Sequence, residues 1–572
     1  MFCRNNAQQI SLTDPINNMP KYLKDILGKS WANSFQQHVF PNICEERFSV
    51  IYSDNYASRP NSPVNVIIGL LILKEIFQLS DEELIGSLHF DIRYQYALRT
   101  TSYEKQPVSI NTLTNFRNRL VDYEKSTGVD LIQLEVEAQA DYIAKFLKVD
   151  NKKVRMDSLM VSSSCKKLTR LELVYNVNAK FIKELNKINA DLIPEECKVY
   201  LEKGHKNETI YRTRDIETES KLQFLLNHSQ ILYNSALKIG GKIIDLESYK
   251  LLSRMIKEQL SEDETASASP KLGSKISPES LQNPTDPDAT YRTKYGPNIG
   301  YVANVAESFN DKNSVITNYD LKPNIYSDSK FADDVIEKLI SKVNDKSSKI
   351  ELLVDGAYYG QNKSEDSLSK GIEIIPSELV GRKPSKEKLS YTSFSIDEET
   401  NVINHCAYGK KPIESYFSSS SYTAKFDIEQ CSGCPYQSNC PIKHQKKYNV
   451  VRVSEKRYQT DLQREKMNTA DYIKLTNKRA GIEGIPSVLR RRYKIDTIPV
   501  RGLLRSKLWV GFKIAAYNFK KLLKQLLNDG DYSMAKLVLL IINILCNIFS
   551  SLFQEKRNLL HILTDKILLF GV

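Results

Sequence analysis

Between residues 299 and 377 the chain carries four short segments rich in β-branched and aromatic residues. They are IGYVANVAESFN (299–310), SVITNYDL (314–321), IELLVDGAYYG (350–360) and GIEIIPS (371–377). The apolar run at 350–354, closing on Asp355, is the pattern of a buried strand in a mixed sheet. A sheet of that kind needs helices over its faces, and helical patterns flank these segments on both sides in sequence. The chain therefore reads as α/β.

The first 130 or so residues read as helical. Ser62-Pro63 is a helix start, followed by VNVIIGLLILKEIF, apolar on nearly all sides and so a buried helix. Ser80-Asp81-Glu82-Glu83 has the capping-box pattern and opens a second helix to about Tyr96. A third begins near Asn111 and sets Arg117 and Arg119 beside Leu113, Phe116 and Leu120. Short helices of which one is basic suit a helix-turn-helix-like DNA contact, and equally a plain helical bundle. Residues 168–260 are again helical, and 261–290, rich in Ser, Pro and Asp, read as a flexible linker.

The net charge is +12, and residues 441–525 hold roughly 22 Lys and Arg against roughly 6 Asp and Glu. Such excess points to a polyanionic partner, or else to a solvated basic face. The N-terminus has no basic segment followed by an apolar core, so cytoplasm is the default compartment. Residues 537–549 (LVLLIINILCNIF) are too short to span a bilayer and are interrupted by Asn543 and Asn547; they read as a buried helix, with no membrane partner. There is no Gly-rich nucleotide loop to imply ATP use, and no Ser-His-Asp arrangement among seven His.

Three acids stand out by position. Asp157 follows VRM, Asp355 follows ELLV, and Glu483 lies in KRAGIEGIPSVLRRR; the first two each read as the end of a short apolar strand. Carboxylates converging from strand ends repel one another unless a divalent cation offsets the charge. Arg479 and Glu483, four apart, share a helical face with Arg490. Pro486 implies that Glu483 lies in a first turn or that the helix kinks there. Cys431, Cys434 and Cys440 in CSGCPYQSNC, with Cys406 upstream, have spacing that suits a structural zinc site or an iron–sulfur cluster, with His405 and His444 as substitutes; reduced thiols are the alternative. Cys3, Cys165, Cys197 and Cys546 lack partners at useful spacing and read as inert.

In order and spacing, the blocks SPVNVIIGLLILKEIFQLSDEELIGSLHFDIRYQYAL, INTLTNFRNRL, RMDSLMVSSSCKKLTRLELVY, DATYRTKYGPNIGYVANVAES, ELLVDGAYYG and KRAGIEGIPSVLRRRYKIDTIPVRGLLRSKLWVGFKIAAYNFKKL resemble the DDE transposases of bacterial insertion elements. The resemblance runs from about Pro63 to Leu523 and implies an RNase H-like mixed sheet with helical and Cys-rich insertions, preceded by a helical N-terminal domain. It implies a helical DNA-binding domain at 1–135, a catalytic domain at 150–526 with insertions at 168–290 and 378–470, and a hydrophobic tail at 527–572. Asp157, Asp355 and Glu483 would be the metal-binding catalytic triad, holding two Mg²⁺ or Mn²⁺ ions. The family's Tyr-Arg-Glu-Lys signature falls on Thr476, Arg479, Glu483 and Arg490, so the Tyr is replaced and the last charge is kept. Arg479, Arg490, Arg491 and Arg492, with Arg117 and Arg119, would contact double-stranded DNA, the element's terminal repeats and its target. The protein would act as a homo-oligomer that brings two ends together. A catalytically inactive DNA-binding protein and a nuclease that does not join strands are the competing readings.

Overall fold

A computed structural model describes residues 1–528 apart from 7–13, 15, 56, 101–105, 212–216, 262–268, 295, 343–348, 382–384, 386 and 398. The apolar stretch at 537–549 and Cys546 lie outside the described residues. Among the described residues no helix is long and apolar enough to cross a membrane.

Seven helices come first: α1 (Lys21–Gly28), α2 (Trp31–His38), α3 (Val64–Phe77), α4 (Asp81–Phe90), α5 (Ile92–Leu98), α6 (Ile110–Thr127) and α7 (Leu131–Phe146). Every residue of α3 except Lys74 and Phe77 is buried, as its unbroken apolar run requires. Ser62 does not cap it; Pro63 takes that place with no side-chain hydrogen bond. Ser80 and Glu83 form the reciprocal capping box of α4. The helix expected to continue to Tyr96 stops at Phe90, because the Asp91 carboxylate accepts from the Arg93 N–H and starts α5.

The chain then enters the sheet with β1 (Lys153–Ser162) and leaves it for α8 (Arg170–Ile188), α9 (Thr218–Ile239) and α10 (Glu247–Gln259), which enclose a core of their own. Residues 269–289, part of the segment read as a flexible linker, form a loop held in place. Arg170 donates to the Lys271 carbonyl and Arg254 to those of Glu279 and Pro287. Asp286, fully buried, accepts from the Tyr301 hydroxyl at 2.5 Å. Composition hid these anchors because they belong to distant residues.

The sheet is completed by β2 (Thr290–Thr293), β3 (Pro297–Phe309), β4 (Ser314–Pro323), β5 (Ile350–Val354) and β6 (Ile372–Pro376), with α11 (Asp328–Ile340) before β5 and α12 (Gln361–Ser369) before β6. Its strand order is β2-β3-β1-β5-β6, with β4 also paired to β3. β3 runs antiparallel to β1, β2 and β4, whereas β1, β5 and β6 are mutually parallel. An antiparallel hairpin leading into parallel strands, β4-β3-β1-β5-β6, is the arrangement of an RNase H-like core.

A second insertion carries the short strands β7 (Ser395–Asp397), β8 (Val402–His405), β9 (Glu414–Ser418) and β10 (Ser421–Phe426), then α13 (Ile428–Ser432), β11 (Lys443–His444) and β12 (Asn449–Ser454). It closes on a small core around Phe394, Tyr422, Phe426 and Val451. The chain ends in α14 (Glu455–Met467), α15 (Ala470–Arg479), a 3-10 turn (Ala480–Glu483), α16 (Gly484–Arg491) and α17 (Leu503–Asn528).

Alternation along β1 puts Leu159 and Val161 on the sheet face that joins α2, α3, α7 and α17 in one continuous core. Val154 and Met156 face the other way, toward α11, β5 and β6. The N-terminal helices thus share apolar core with the sheet. Inside it, Lys513 of α17 meets the Glu75 carboxylate at 2.5 Å and lies 4.0 Å from the Trp509 ring centroid. Removing one partner of such a pair leaves a buried charge unsatisfied. Glu75→Ala is expected to cost about 3–5 kcal/mol in urea unfolding, and Glu75→Met with Lys513→Met to recover most of it. Equal loss in the single and double variants would contradict a paired buried charge.

Candidate active site

The register of the sheet builds the site. β1 pairs with β5 only from Lys153↔Glu351 to Arg155↔Leu353. Two residues further on, Asp157 lies level with Asp355, where β5 has just ended. Asp157 therefore sits in the middle of β1 and not at a strand end as the sequence suggested. β1 continues because β3 stays paired with it as far as Ser162↔Gly300. Asp355 caps the short turn after β5, accepting from the Gly356 N–H at 2.6 Å. A Cβ on Gly356 would stand 2.7 Å from the Glu378 carbonyl oxygen, so only glycine lets this turn lie against the chain leaving β6.

Glu483 ends the 3-10 turn and is the residue before α16. Pro486 is the third residue of that helix, where its missing N–H breaks no internal bond. Glu483 therefore lies one residue short of a first turn, in a 3-10 break between α15 and α16 through which the backbone stays right-handed helical. Asp157, Asp355 and Glu483 all line one open cleft of about 1050 Å³, with Arg292, Lys294, Arg479 and Arg490.

Arg479 is the cation at the centre of this arrangement. Its Nη1 lies 3.4 Å from Glu483 Oε1 and its Nη2 lies 4.0 Å from Asp157 Oδ1. Its side chain is only 12% exposed, and its buried Nε has no hydrogen-bond partner. Burial foremost, and the charge of Asp355, raise the Asp157 carboxyl above its ordinary range; the Ser158 N–H and Arg479 pull the other way.

The other expected contacts divide. Arg490 lines the cleft and pairs with Asp496 at 3.3 Å, and Arg491 and Arg492 are exposed just beyond it. Arg117 donates to both oxygens of Asp81, which also holds Lys74, so it ties α6 to α3 and α4. Arg119 is exposed, its guanidinium 4.9 Å from the Tyr52 ring centroid. Arg292, Lys294 and Glu378 line the cleft and were not singled out in the sequence. The signal available was a pair of basic residues flanking the turn before a core strand.

Among the described residues no three His, Cys, Asp or Glu side chains are drawn together closely enough to hold a metal ion. Zinc or an iron–sulfur cluster at Cys406, Cys431, Cys434 and Cys440 is left without support, and the same finding holds for Asp157, Asp355 and Glu483. All four thiols are free, and Cys406, Cys431 and Cys440 pack against the small core of the second insertion. Burial foremost pushes the Cys431 and Cys440 thiols up, and the neighbouring thiols, Cys406 and Cys434 among them, add to it, so the four sulfurs stand near one another. In the cleft the donor set is of another kind. Three carboxylates supply hard oxygen donors, the kind Mg²⁺ or Mn²⁺ takes, while the Arg479 guanidinium stands between two of them.

Two family models match the chain. "Transposase DDE domain" covers residues 405–523, taking in Arg479, Glu483 and Arg490, and "Transposase domain (DUF772)" covers 32–119, from α2 through most of α6. No curated protein and no solved structure gives a significant match. Over these two spans the chain is similar to transposases, the C-terminal span being that of a DDE domain, and the matches support a transposase function. Divalent metals are general to that class. Neither matched span includes Asp157 or Asp355, which the fold alone brings to the same cleft.

The raised carboxyl of Asp157 has a thermodynamic consequence. A folded pKa above the unfolded one means that the folded state holds the proton to higher pH. Stability from this group is then full at low pH and declines as pH rises through the folded value. In metal-free protein, Asp157→Asn is expected to raise the melting temperature at pH 7, with the gain shrinking toward about pH 4, the ordinary Asp range. Thermal denaturation in EDTA at both pH values measures this; no gain at pH 7 would contradict the reading.

Proposed function

We propose that this chain binds the ends of an insertion element, cuts DNA there and joins the freed ends to target DNA, with Asp157, Asp355 and Glu483 as the catalytic triad. The observation that supports it most is the convergence of three acids, from positions 157, 355 and 483, in one cleft lined by Arg292, Lys294, Arg479 and Arg490. Nothing in local sequence requires segments so far apart to meet.

Asp157, Asp355 and Glu483 would hold two divalent cations, which when bound offset the carboxylates' repulsion and stabilise charge on the attacking and leaving oxygens at phosphorus. Arg479, held between Asp157 and Glu483, turns its spare donors to the scissile phosphate. Arg490, with Arg491 and Arg492 beyond it, steadies the flanking backbone, contacts that position DNA without reading its sequence. In the first step a water oxygen bonds to phosphorus as the P–O3′ bond breaks, leaving a 3′-hydroxyl. In the second, that hydroxyl oxygen attacks a target phosphodiester and displaces the target's own 3′ oxygen, so no external energy source is needed. Catalysis is positioning and charge neutralisation, with no covalent protein intermediate. The N-terminal helices contact the terminal repeats, Arg119 being the available cation on α6 and Arg117 serving to fix that helix. Two protomers bring two ends together in the cytoplasm.

Labelled DNA carrying the element's ends, incubated with Mg²⁺ or Mn²⁺, tests this. The wild type is expected to cut and join, and Asp355→Asn to bind normally while cutting falls by more than roughly hundredfold, beyond the cost of losing an outer-shell partner. Cutting without joining would leave a nuclease. Binding without cutting under either metal would leave a non-catalytic DNA-binding protein.

A further inference from the structure

Arg155 is two residues before Asp157 on β1 and projects from the same face of the sheet. In the β1–β3 register it stands opposite Glu307, a fully buried carboxylate. Its Nε donates to Glu307 Oε2 at 2.7 Å, and its Nη2 lies 2.6 Å from the same oxygen. The guanidinium carbon lies 4.6 Å from the Phe309 ring centroid. This cation is fixed from below by the sheet.

Its remaining reach is directed at a different part of the chain. Arg155 Nη1 donates to the Lys478 carbonyl at 2.6 Å, in the last turn of α15, the favourable end of a helix for a cation. The residue after Lys478 is Arg479, and the next four are the turn that ends on Glu483. Within that turn, Gly481 lies directly against the guanidinium: a Cβ there would come within 2.1 Å of Arg155 Nη1 and 2.7 Å of Cζ. The clash is with the end of a side chain, but that end is pinned by Glu307 and Lys478 and has nowhere inexpensive to go. Gly481 has no positive φ, so what requires glycine here is the approach of Arg155 and not backbone conformation.

We propose that Arg155 is a positioning residue that clamps the Glu483-bearing turn onto the Asp157-bearing strand, and that Gly481 is the seat of the clamp. One side chain fixes the first and third acids relative to one another, and carries Arg479 with them. Asp355 needs no such device, because the β1–β5 register already places it beside Asp157. The proposal rests on the triad reading above for its purpose, though not for its geometry.

Gly481→Ala is the main test, since Arg155→Gln strands a buried carboxylate and can fail by unfolding. Hydrogen exchange in metal-free, full-length protein reads the clamp itself. Amides 480–485 are expected to exchange at least roughly tenfold faster in Gly481→Ala, while those of β1 and β3 keep wild-type protection, as a local loosening requires. Mn²⁺ titration without DNA, followed by electron paramagnetic resonance, reads the purpose. The half-saturating Mn²⁺ concentration is expected to rise roughly tenfold or more, the scale of losing an outer-shell partner, with DNA binding unchanged. Arg155→Lys with Gly481 intact should recover part of both effects, since it keeps the charge and loses the fork. Unchanged exchange at 480–485 would overturn the clamp. Faster exchange with unchanged Mn²⁺ affinity would overturn its role at the triad while leaving the triad reading intact. A wild type that binds no Mn²⁺ would overturn the triad reading and the clamp's purpose with it, and exchange would still decide whether the clamp exists.

Discussion

The site depends on one constraint: β1 is longer than the parallel strand beside it. β3 keeps β1 hydrogen-bonded as far as Ser162, while β5 stops at Val354. Beyond that point one edge of β1 has no strand neighbour, and the cleft opens along it. Asp157 is placed in that cleft by its position in the strand, and Asp355 by the end of β5. Two carboxylates side by side in a half-buried cleft are unfavourable on their own, as the raised carboxyl of Asp157 shows. The core contributed by α3, α7 and α17 must offset that cost.

The third acid reaches the cleft by a different route. Glu483 comes from a 3-10 turn between two helices, and turns of that kind have no ladder to fix their distance from a sheet. Tyr472 of α15 supplies part of the anchor, packed against Phe309, Leu353 and Ile375 and donating its hydroxyl to the Pro376 carbonyl. Arg479 supplies another part through its contacts with Asp157 and Glu483.

Much of this was legible in the sequence where the physics is local. The four strand segments could be read because β-branched runs ending at turn residues pack in only one way, and α3 because no face of it is polar. The four-residue spacing of Arg479 and Glu483 reads as one helical face, and the two do meet, although Glu483 sits in the 3-10 turn after the helix that Arg479 ends. Asp157 reads as a strand end, yet VRMDSLMVS keeps its alternation past the acid, with Leu159 and Val161 continuing the apolar face to the end of β1. Arg117 looked free for DNA because its partner, Asp81, belongs to another helix. The ordered loop at 269–289 and the role of Arg155 were illegible for the same reason. Their partners lie at positions such as 170, 254, 301, 307 and 478, and no local pattern encodes such meetings. The cysteine spacing was legible as a neighbourhood, since Cys406, Cys431 and Cys434 all stand near Cys440.

The central claim is that residues 157, 355 and 483 share divalent cations, and affinity cleavage by bound iron tests it most directly. Fe²⁺ substituted for Mg²⁺, with ascorbate and peroxide, generates hydroxyl radicals that cut the backbone only close to the ion. The account predicts cuts in three separate places, around 156–158, 354–357 and 479–484, all suppressed together by excess Mg²⁺. Cuts confined to one of these segments, or concentrated at 406–440 and indifferent to Mg²⁺, would contradict it.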